Sequence, residues 1–416
     1  VLPCPTMLGI AALCCLWESA APAASVSEVR VEGLQHTRPA VIMRELRLQS
    51  GQEMDSLRLQ LDADALERLG IFAEVRAERD SLGALVWKVQ ELPGLLPVPN
   101  GRMSDADGLS LGGGLKSSNF LGEAIALEAL LLLGGVTEWQ VAASGGWIGP
   151  LPIGWDVFTN RSQREAPFAG GQETSVRNQL VLRWPTDQPL RGQAGIGYAW
   201  VREQSRQLAV GPNGRDWIPS VSGGLQWDNR DRIGLTRKGF YQEMTVERIG
   251  GPLGGDLDGW QFTSDSRGWM PLSERFGVHL SNLLDWQTGT VDAWRGFVVG
   301  GANSARFLPA AELHGRSEDL LNAELRYLVV PPHPSSPFGL PLYWGLQALA
   351  GAELVSAWDA TTPDGWRMGP VAGMDFLIPY LQRFRLCAGW SRQQGGVVSF
   401  GFGLEEKTVA QRWKGR

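Results

Sequence analysis

Arg295 sits in a connection of about thirty residues, 288–317, within the run Trp294, Arg295, Gly296 and Phe297, and Glu324 and Arg326 follow on one polar face of the next expected strand. A guanidinium can close a bidentate, charge-assisted pair with a carboxylate where water is limited. The chemistry on offer is ionic anchoring of a loop, with no bond made or broken. Folded inward, the connection would bring Arg295 to an acidic residue such as Glu324; an exposed loop with an incidental arginine is the alternative. In the rest of the chain no Gly-x-Ser-x-Gly elbow, no His-Glu-x-x-His and no phosphate-cradling loop with a lysine is expected. His36, His279, His314 and His333 are scattered, and Cys4, Cys14, Cys15 and Cys387 are too few and too uneven for a zinc site or a disulfide scaffold. No enzyme activity, catalytic residue, cofactor or metal is expected.

The elements that would position the loop are strands. Beyond residue 94 the sequence alternates apolar residues with Gly, Ser, Gln, Asp, Glu and Arg at a period of two. Ala194, Ile196, Tyr198 and Trp200 oppose Gln193, Gly195 and Gly197; Phe276, Val278, Leu280, Leu284 and Trp286 oppose Arg275, His279, Ser281 and Asp285. Strands are expected near 94–101, 108–117, 122–133, 136–147, 152–160, 173–183, 191–204, 219–229, 239–248, 257–267, 273–287, 318–329, 342–356, 366–378, 382–392 and 396–404. Sixteen strands of this length suit an all-β transmembrane barrel over 94–404, with an apolar outer wall and a wet lumen. Closure is required, because open sheet edges do not persist in hydrocarbon. An even count returns both ends to one side and puts 288–317 on the other, outer side. Pro97 and Pro99 interrupt the donors of the first strand, and a polar tail, 405–416, follows the last.

Ahead of the barrel, 26–92 reads as a small α+β domain: a strand ending at Gly33, a helix from Pro39 towards Gly51, a helix over Leu57–Leu69, then strands over 72–78 and 84–91. Helices on one face of so short a sheet leave an edge free to accept an extended peptide; a passive spacer is the other reading. Residues 1–24 carry an apolar stretch from Met7 to Trp17 and end on Pro22, Ala23 and Ala24, the form of a secretory signal peptide, although no basic residue precedes the stretch. The richest later run, Ala124 to Leu133, is too short for a spanning helix. Gly 53 and Trp 18 in 416 residues fit a curved, aromatic-rimmed wall, and a net charge of -6 gives no footing for a nucleic-acid partner.

These residues resemble the BamA and TamA superfamily of outer-membrane assembly and translocation barrels, the bacterial surface antigen family. The resemblance spans about 26–404. Gly33, Gly51, Leu69, Gly70, Phe72, Val75 and Glu91 fall where one POTRA domain has its turns and core, and Trp294–Phe297 is similar to the lumen loop motif of the family. Trp227 to Gly239, Asn322 to Tyr327 and the turn Ser118 to Gly122 agree in order and spacing. The family's acidic partner for the loop arginine best matches near Gly351, where Glu353 would substitute beside Glu324. The customary terminal aromatic is replaced by Leu404 and the polar tail. The resemblance implies a bacterial outer-membrane location with the POTRA domain in the periplasm, an unfolded or secreted client polypeptide at the POTRA edge, outer-membrane lipid around the barrel and periplasmic accessory proteins. It implies assistance with client insertion or translocation through a seam between the first and last strands. One POTRA domain points away from the central insertase role, and a substrate-selective or plugged pore is the alternative.

Overall fold

The computed structural model describes residues 25–104, 108–165, 171–204, 209–231, 236–289, 296–301, 304–309, 312–335, 342–359, 365–378 and 382–403. The expectations placed on 1–24, on Trp294 and Arg295 and on 405–416 lie outside those residues.

The N-terminal module is a three-stranded sheet under two helices. Strands β1 (Val29–Glu32), β2 (Phe72–Arg79) and β3 (Leu85–Glu91) lie in the order β1-β3-β2, with β1 parallel to β3 and β2 antiparallel to it. Helix α2 (Ser56–Arg68) starts at Asp55, whose carboxylate accepts from Leu57 N at 3.1 Å. Ile42, Leu66, Phe72, Trp87 and Val89 form the core between helices and sheet. The helix expected from Pro39 towards Gly51 is shorter: α1 spans only Pro39–Met43. The buried Asp62 carboxylate takes the N–H groups of Arg47 and Leu48 at 2.9 and 3.0 Å, and Leu46 and Leu48 both bury, which is the two-residue period of an extended segment.

From Leu96 onward the chain builds one sheet of sixteen strands. In chain order they are β4 (Leu96–Ser104), β5 (Gly108–Phe120), β6 (Ile125–Gly134), β7 (Thr137–Gly145), β8 (Gly154–Glu165), β9 (Gln172–Trp184), β10 (Leu190–Glu203), β11 (Arg215–Asp228), β12 (Gly239–Gly250), β13 (Asp258–Pro271) and β14 (Phe276–Gly289). After a small hairpin, β15 (Phe297–Val299) with β16 (Leu313–Gly315), the wall resumes with β17 (Ser317–Ser335), β18 (Leu342–Trp358), β19 (Arg367–Ile378), β20 (Gln382–Ser391) and β21 (Gly395–Gly403). Each wall strand pairs antiparallel with the next, β14 joining β17 across the hairpin. The edge strands β4 and β21 approach within 8 Å, yet no hydrogen-bonded ladder joins them among the described residues.

The wall is inverted relative to a water-soluble protein. His279 is 1% exposed and its neighbour Leu280 54%; Gln226 is 2% exposed and Leu225 59%. Polar side chains fill the inside and apolar ones face out, as a lipid-facing barrel requires. Exposed tryptophans sit near strand ends on both rims, Trp184 and Trp227 on the side of the module, Trp217, Trp260 and Trp286 on the other. β17 runs past its expected end at 329 to Ser335, with register irregularities between Leu328 and Val330 and between Val330 and His333. Pro331 and Pro332 lack the N–H groups a regular ladder would use there.

Candidate functional site

The connection from β14 to β17 turns back into the barrel. β15 and β16 pair Phe297 with Gly315 and Val299 with Leu313, folding the segment on itself. Gly300 and Gly301 take φ of 132° and 84°, and Gly301 N donates to Leu308 O at 3.0 Å, closing a tight loop. Val299, Ala305, Phe307 and Leu308 are fully buried and pack on Val355 of β18 and Val371 of β19, on the inner face of the wall. Phe307 seats against Gly369 and Gly389: a Cβ built on Gly369 would lie 2.3 Å from the Phe307 ring, and one on Gly389 2.4 Å from Phe307 Cα. A ring and its backbone fill space that any larger wall residue would claim.

Beside that ring, Arg306 reaches two buried carboxylates. Its Nε donates to Glu353 Oε1 at 2.5 Å and its backbone N to Glu353 Oε2 at 2.7 Å. Its Nη2 lies 2.5 Å from Glu324 Oε1 and donates to Asn322 Oδ1 at 2.9 Å. Glu324 is also held by Arg326, whose Nε and Nη2 donate to Oε2 at 2.8 and 2.6 Å. Arg326 Nη2 stands 2.8 Å from His279 Nδ1, and a guanidinium can only donate, so Nδ1 accepts. Further along the wall Arg385 forks onto both oxygens of Asp375 at 2.6 and 2.7 Å, and Arg367 pairs with Glu312 of the loop at 2.8 Å. Buried charges persist only when paired and hydrogen-bonded. Here the buried Arg306 pairs connect the loop to β17 and β18, and the half-buried Arg367–Glu312 pair connects it to β19.

A second ionic group lines the rim near the module. Arg230 forks onto Asp228 at 2.8 and 2.7 Å and lies over the rings of Tyr241 and Trp269, 4.7 and 5.8 Å from their centroids. Arg267 pairs with Asp265 beneath them, both essentially without exposure. These contacts fill and brace the lumen. Contrary to the expectation from sequence, a Gly-x-Ser-x-Gly spacing is present, at Gly108, Ser110 and Gly112, but it lies within β5 and Ser110 Oγ accepts from Val136 N at 2.8 Å, so it forms no strand-to-helix elbow. Among the described residues no cluster of three His, Cys, Asp or Glu side chains could hold a metal.

Of the residues singled out in the sequence, Glu324 and Glu353 meet at one guanidinium, that of Arg306. Gly296 precedes β15 and Phe297 begins it, buried; the surroundings of Trp294 and Arg295 lie outside the described residues. Arg306 stands nine residues beyond Phe297, outside the Trp294–Phe297 motif. Its signal was local: a charged residue inside the apolar run Ala305, Phe307, Leu308, just after a glycine pair, has to be buried with partners.

Sequence profiles of two families match the chain: the Omp85 superfamily domain over residues 119–308 and the surface antigen variable number repeat, POTRA, over residues 24–92. No curated protein sequence matches it. Among solved structures the chain is similar to BamA from Haemophilus ducreyi lacking POTRA domains 1-3, at 16% identity and a TM-score of 0.53, covering 92% of this chain and 84% of that one. CdiB from Acinetobacter baumannii matches at 14% identity and a TM-score of 0.58, covering 92% and 74%. CdiB from Escherichia coli matches at 13% identity and 0.51, covering 94% and 92%.

Proposed function

We propose that this chain, which carries an Omp85 superfamily domain over 119–308 and one POTRA domain over 24–92, is an outer-membrane barrel that assists insertion or translocation of client polypeptides at the outer membrane. The POTRA domain stands in the periplasm and offers a sheet edge, β1 or β2, to an extended client segment. Periplasmic accessory proteins would meet the same domain, and outer-membrane lipid surrounds the barrel. The observation that carries this reading is the meeting of β4 and β21 without a ladder, next to the point where the POTRA domain enters the wall.

Sheet edges in lipid need partners, so an unlatched pair is a place where a client strand can be accepted in exchange. Pro97 and Pro99 remove two N–H donors from β4, which lowers what the edge strand can hold by itself. A cross-link tests this. Cysteines at Val98 and Ser399, both on inward-facing positions of the edge strands, would be joined by a bifunctional thiol reagent in a Cys387→Ser background. Loss of client insertion or export on cross-linking, recovered when the reagent is cleaved, is the expected result; unchanged activity in a fully cross-linked population would sink the seam.

A plugged pore without assembly activity is the second reading, and the loop held by Arg306 favours it. The two separate on depletion of the chain: a specific set of outer-membrane or secreted proteins falls under the first and none under the second.

A further inference from the structure

The POTRA domain does not hang from its tether. Between Glu91 of β3 and Leu96 of β4 only residues 92–95 intervene, and around them the domain grips three successive turns of the barrel rim. At the β5–β6 turn, Asn119 Nδ2 donates to Thr37 Oγ1 at 2.7 Å with both side chains buried, and Arg38 N donates to Gly122 O at 3.0 Å. Arg38 also pairs with Glu123, and Arg44 Nη2 reaches Glu123 O at 3.4 Å. Gly122 has φ +73°, and a Cβ there would stand 2.2 Å from His36 O, so the two backbones meet at a distance only glycine permits. Ala124 packs onto the POTRA core.

At the β7–β8 turn, Trp147 Nε1 donates to Glu45 at 2.7 Å, and the Arg44 guanidinium lies 5.3 Å from the indole centroid. At the β9–β10 turn, Arg47 Nη2 reaches Asp187 O at 3.5 Å. The gripping loop is itself held from inside the domain: the Glu91 carboxylate accepts from His36 N and Thr37 N, each at 2.9 Å.

Relative motion is the ordinary expectation for two domains that share a small polar interface. Here a buried side-chain hydrogen bond, an ion pair, a stacked arginine and a glycine-enforced backbone contact act together. We infer that the POTRA domain is clamped to the first half of the barrel, through the turns of β5–β10, and moves with that wall as one body. Thr37, Arg38, Glu45, Asn119, Gly122 and Trp147 are then positioning residues, which fix where the client-binding edge stands relative to the seam at β4. The placement of that edge rests on the function proposed above; the clamp itself does not.

The test uses the full chain with Cys387→Ser in outer-membrane vesicles, with spin labels on cysteines at Arg76 in the POTRA domain and at Glu274 in the β13–β14 turn, across the barrel on the same rim. One narrow distance distribution is expected for the native clamp, and loss of that single distance on Gly122→Val. A broad distribution in the otherwise native protein overturns the clamp. In a second variant, Thr37→Cys with Asn119→Cys in the Cys387→Ser background, a short cleavable bifunctional thiol reagent should join the two cysteines in most molecules, leaving client levels in cells unchanged. Failure to cross-link, or client loss that a reductant reverses, also overturns it. The spin-label measurement involves no client, so a failed clamp leaves the proposed activity standing, and unchanged client levels on depletion would remove that activity while leaving the clamp.

Discussion

Replacing Arg306 with alanine should release the lumenal loop. The substitution removes two hydrogen bonds to side chains, the contact with Glu324, and the charge that neutralises Glu353, which is 2% exposed. Glu324 keeps Arg326, whereas Glu353 keeps only the backbone N–H of residue 306 among the contacts described above. Breaking a buried pair from one side typically costs about 3–5 kcal/mol, because the remaining charge is left without compensation. At about 1.4 kcal/mol per tenfold change, the docked-to-undocked ratio should fall by roughly a hundred- to a few-thousand-fold. Two readouts follow: protease cleavage within 296–316 in intact vesicles, and single-channel conductance in planar bilayers. Both should rise in Arg306→Ala. Arg306→Ala with Glu353→Leu should recover part of the protection, since the stranded carboxylate is gone. Unchanged cleavage and conductance in a folded Arg306→Ala barrel would refute the anchoring argument.

Phe307→Ala should weaken the same docking by about 3–5 kcal/mol, the usual range for a fully buried ring, and should appear as increased loop cleavage with the barrel intact. Gly389→Ala should do the same from the wall, because the added methyl would press on Phe307 Cα, which cannot rotate away; equal cleavage in variant and native protein would count against the socket. The clamp should be strongest in mild acid. Burial pushes the Glu91 carboxyl up, but the hydrogen bonds from Thr37 and His36 outweigh it and hold it below the usual glutamate value of 4.5, so its contribution is complete above 4.5 and is lost as pH falls through the lowered value. Burial holds the Glu45 carboxyl above 4.5 despite Trp147 and Arg44, so docking weakens as pH rises from 4.5 through the raised value. At neutral pH the single distance should persist, because the Thr37–Asn119 and Gly122 contacts carry no titrating group; on acidification it should broaden as Glu91 is protonated, and Glu91→Gln should remove that broadening, so a distribution unchanged in acid would refute the Glu91 assignment.

The barrel was legible in the sequence because its solvent differs on the two faces. Gln193, Gly195 and Gly197 against Ile196 and Tyr198, or His279 against Leu280, write the wall as a strict period of two, and all sixteen expected strands are found, with ends shifted by a few residues. Where that contrast failed, so did the reading. The helix after Pro39 stops at Met43 because Asp62, distant in sequence, takes the N–H groups of Arg47 and Leu48, and no local pattern signals that. The inner loop was harder still. A segment buried on all sides against Val355, Val371, Gly369 and Gly389 has no alternation to reveal it, and the guanidinium that meets Glu324 and Glu353 declared itself only by standing among Ala305, Phe307 and Leu308. The POTRA clamp depends on pairs more than eighty residues apart, Thr37 with Asn119 and Arg38 with Glu123, which spacing alone could not join.

Client passage at the seam is tested most directly by a photo-reactive amino acid placed in the edge strand in living cells. Val398 of β21 faces outward and is 75% exposed; Leu225, on the opposite part of the wall, is 59% exposed and serves as the reference. Adducts with newly made outer-membrane or secreted polypeptides should form at 398 and not at 225. Adducts at neither position, or equally at both, would contradict a client-accepting seam between β4 and β21.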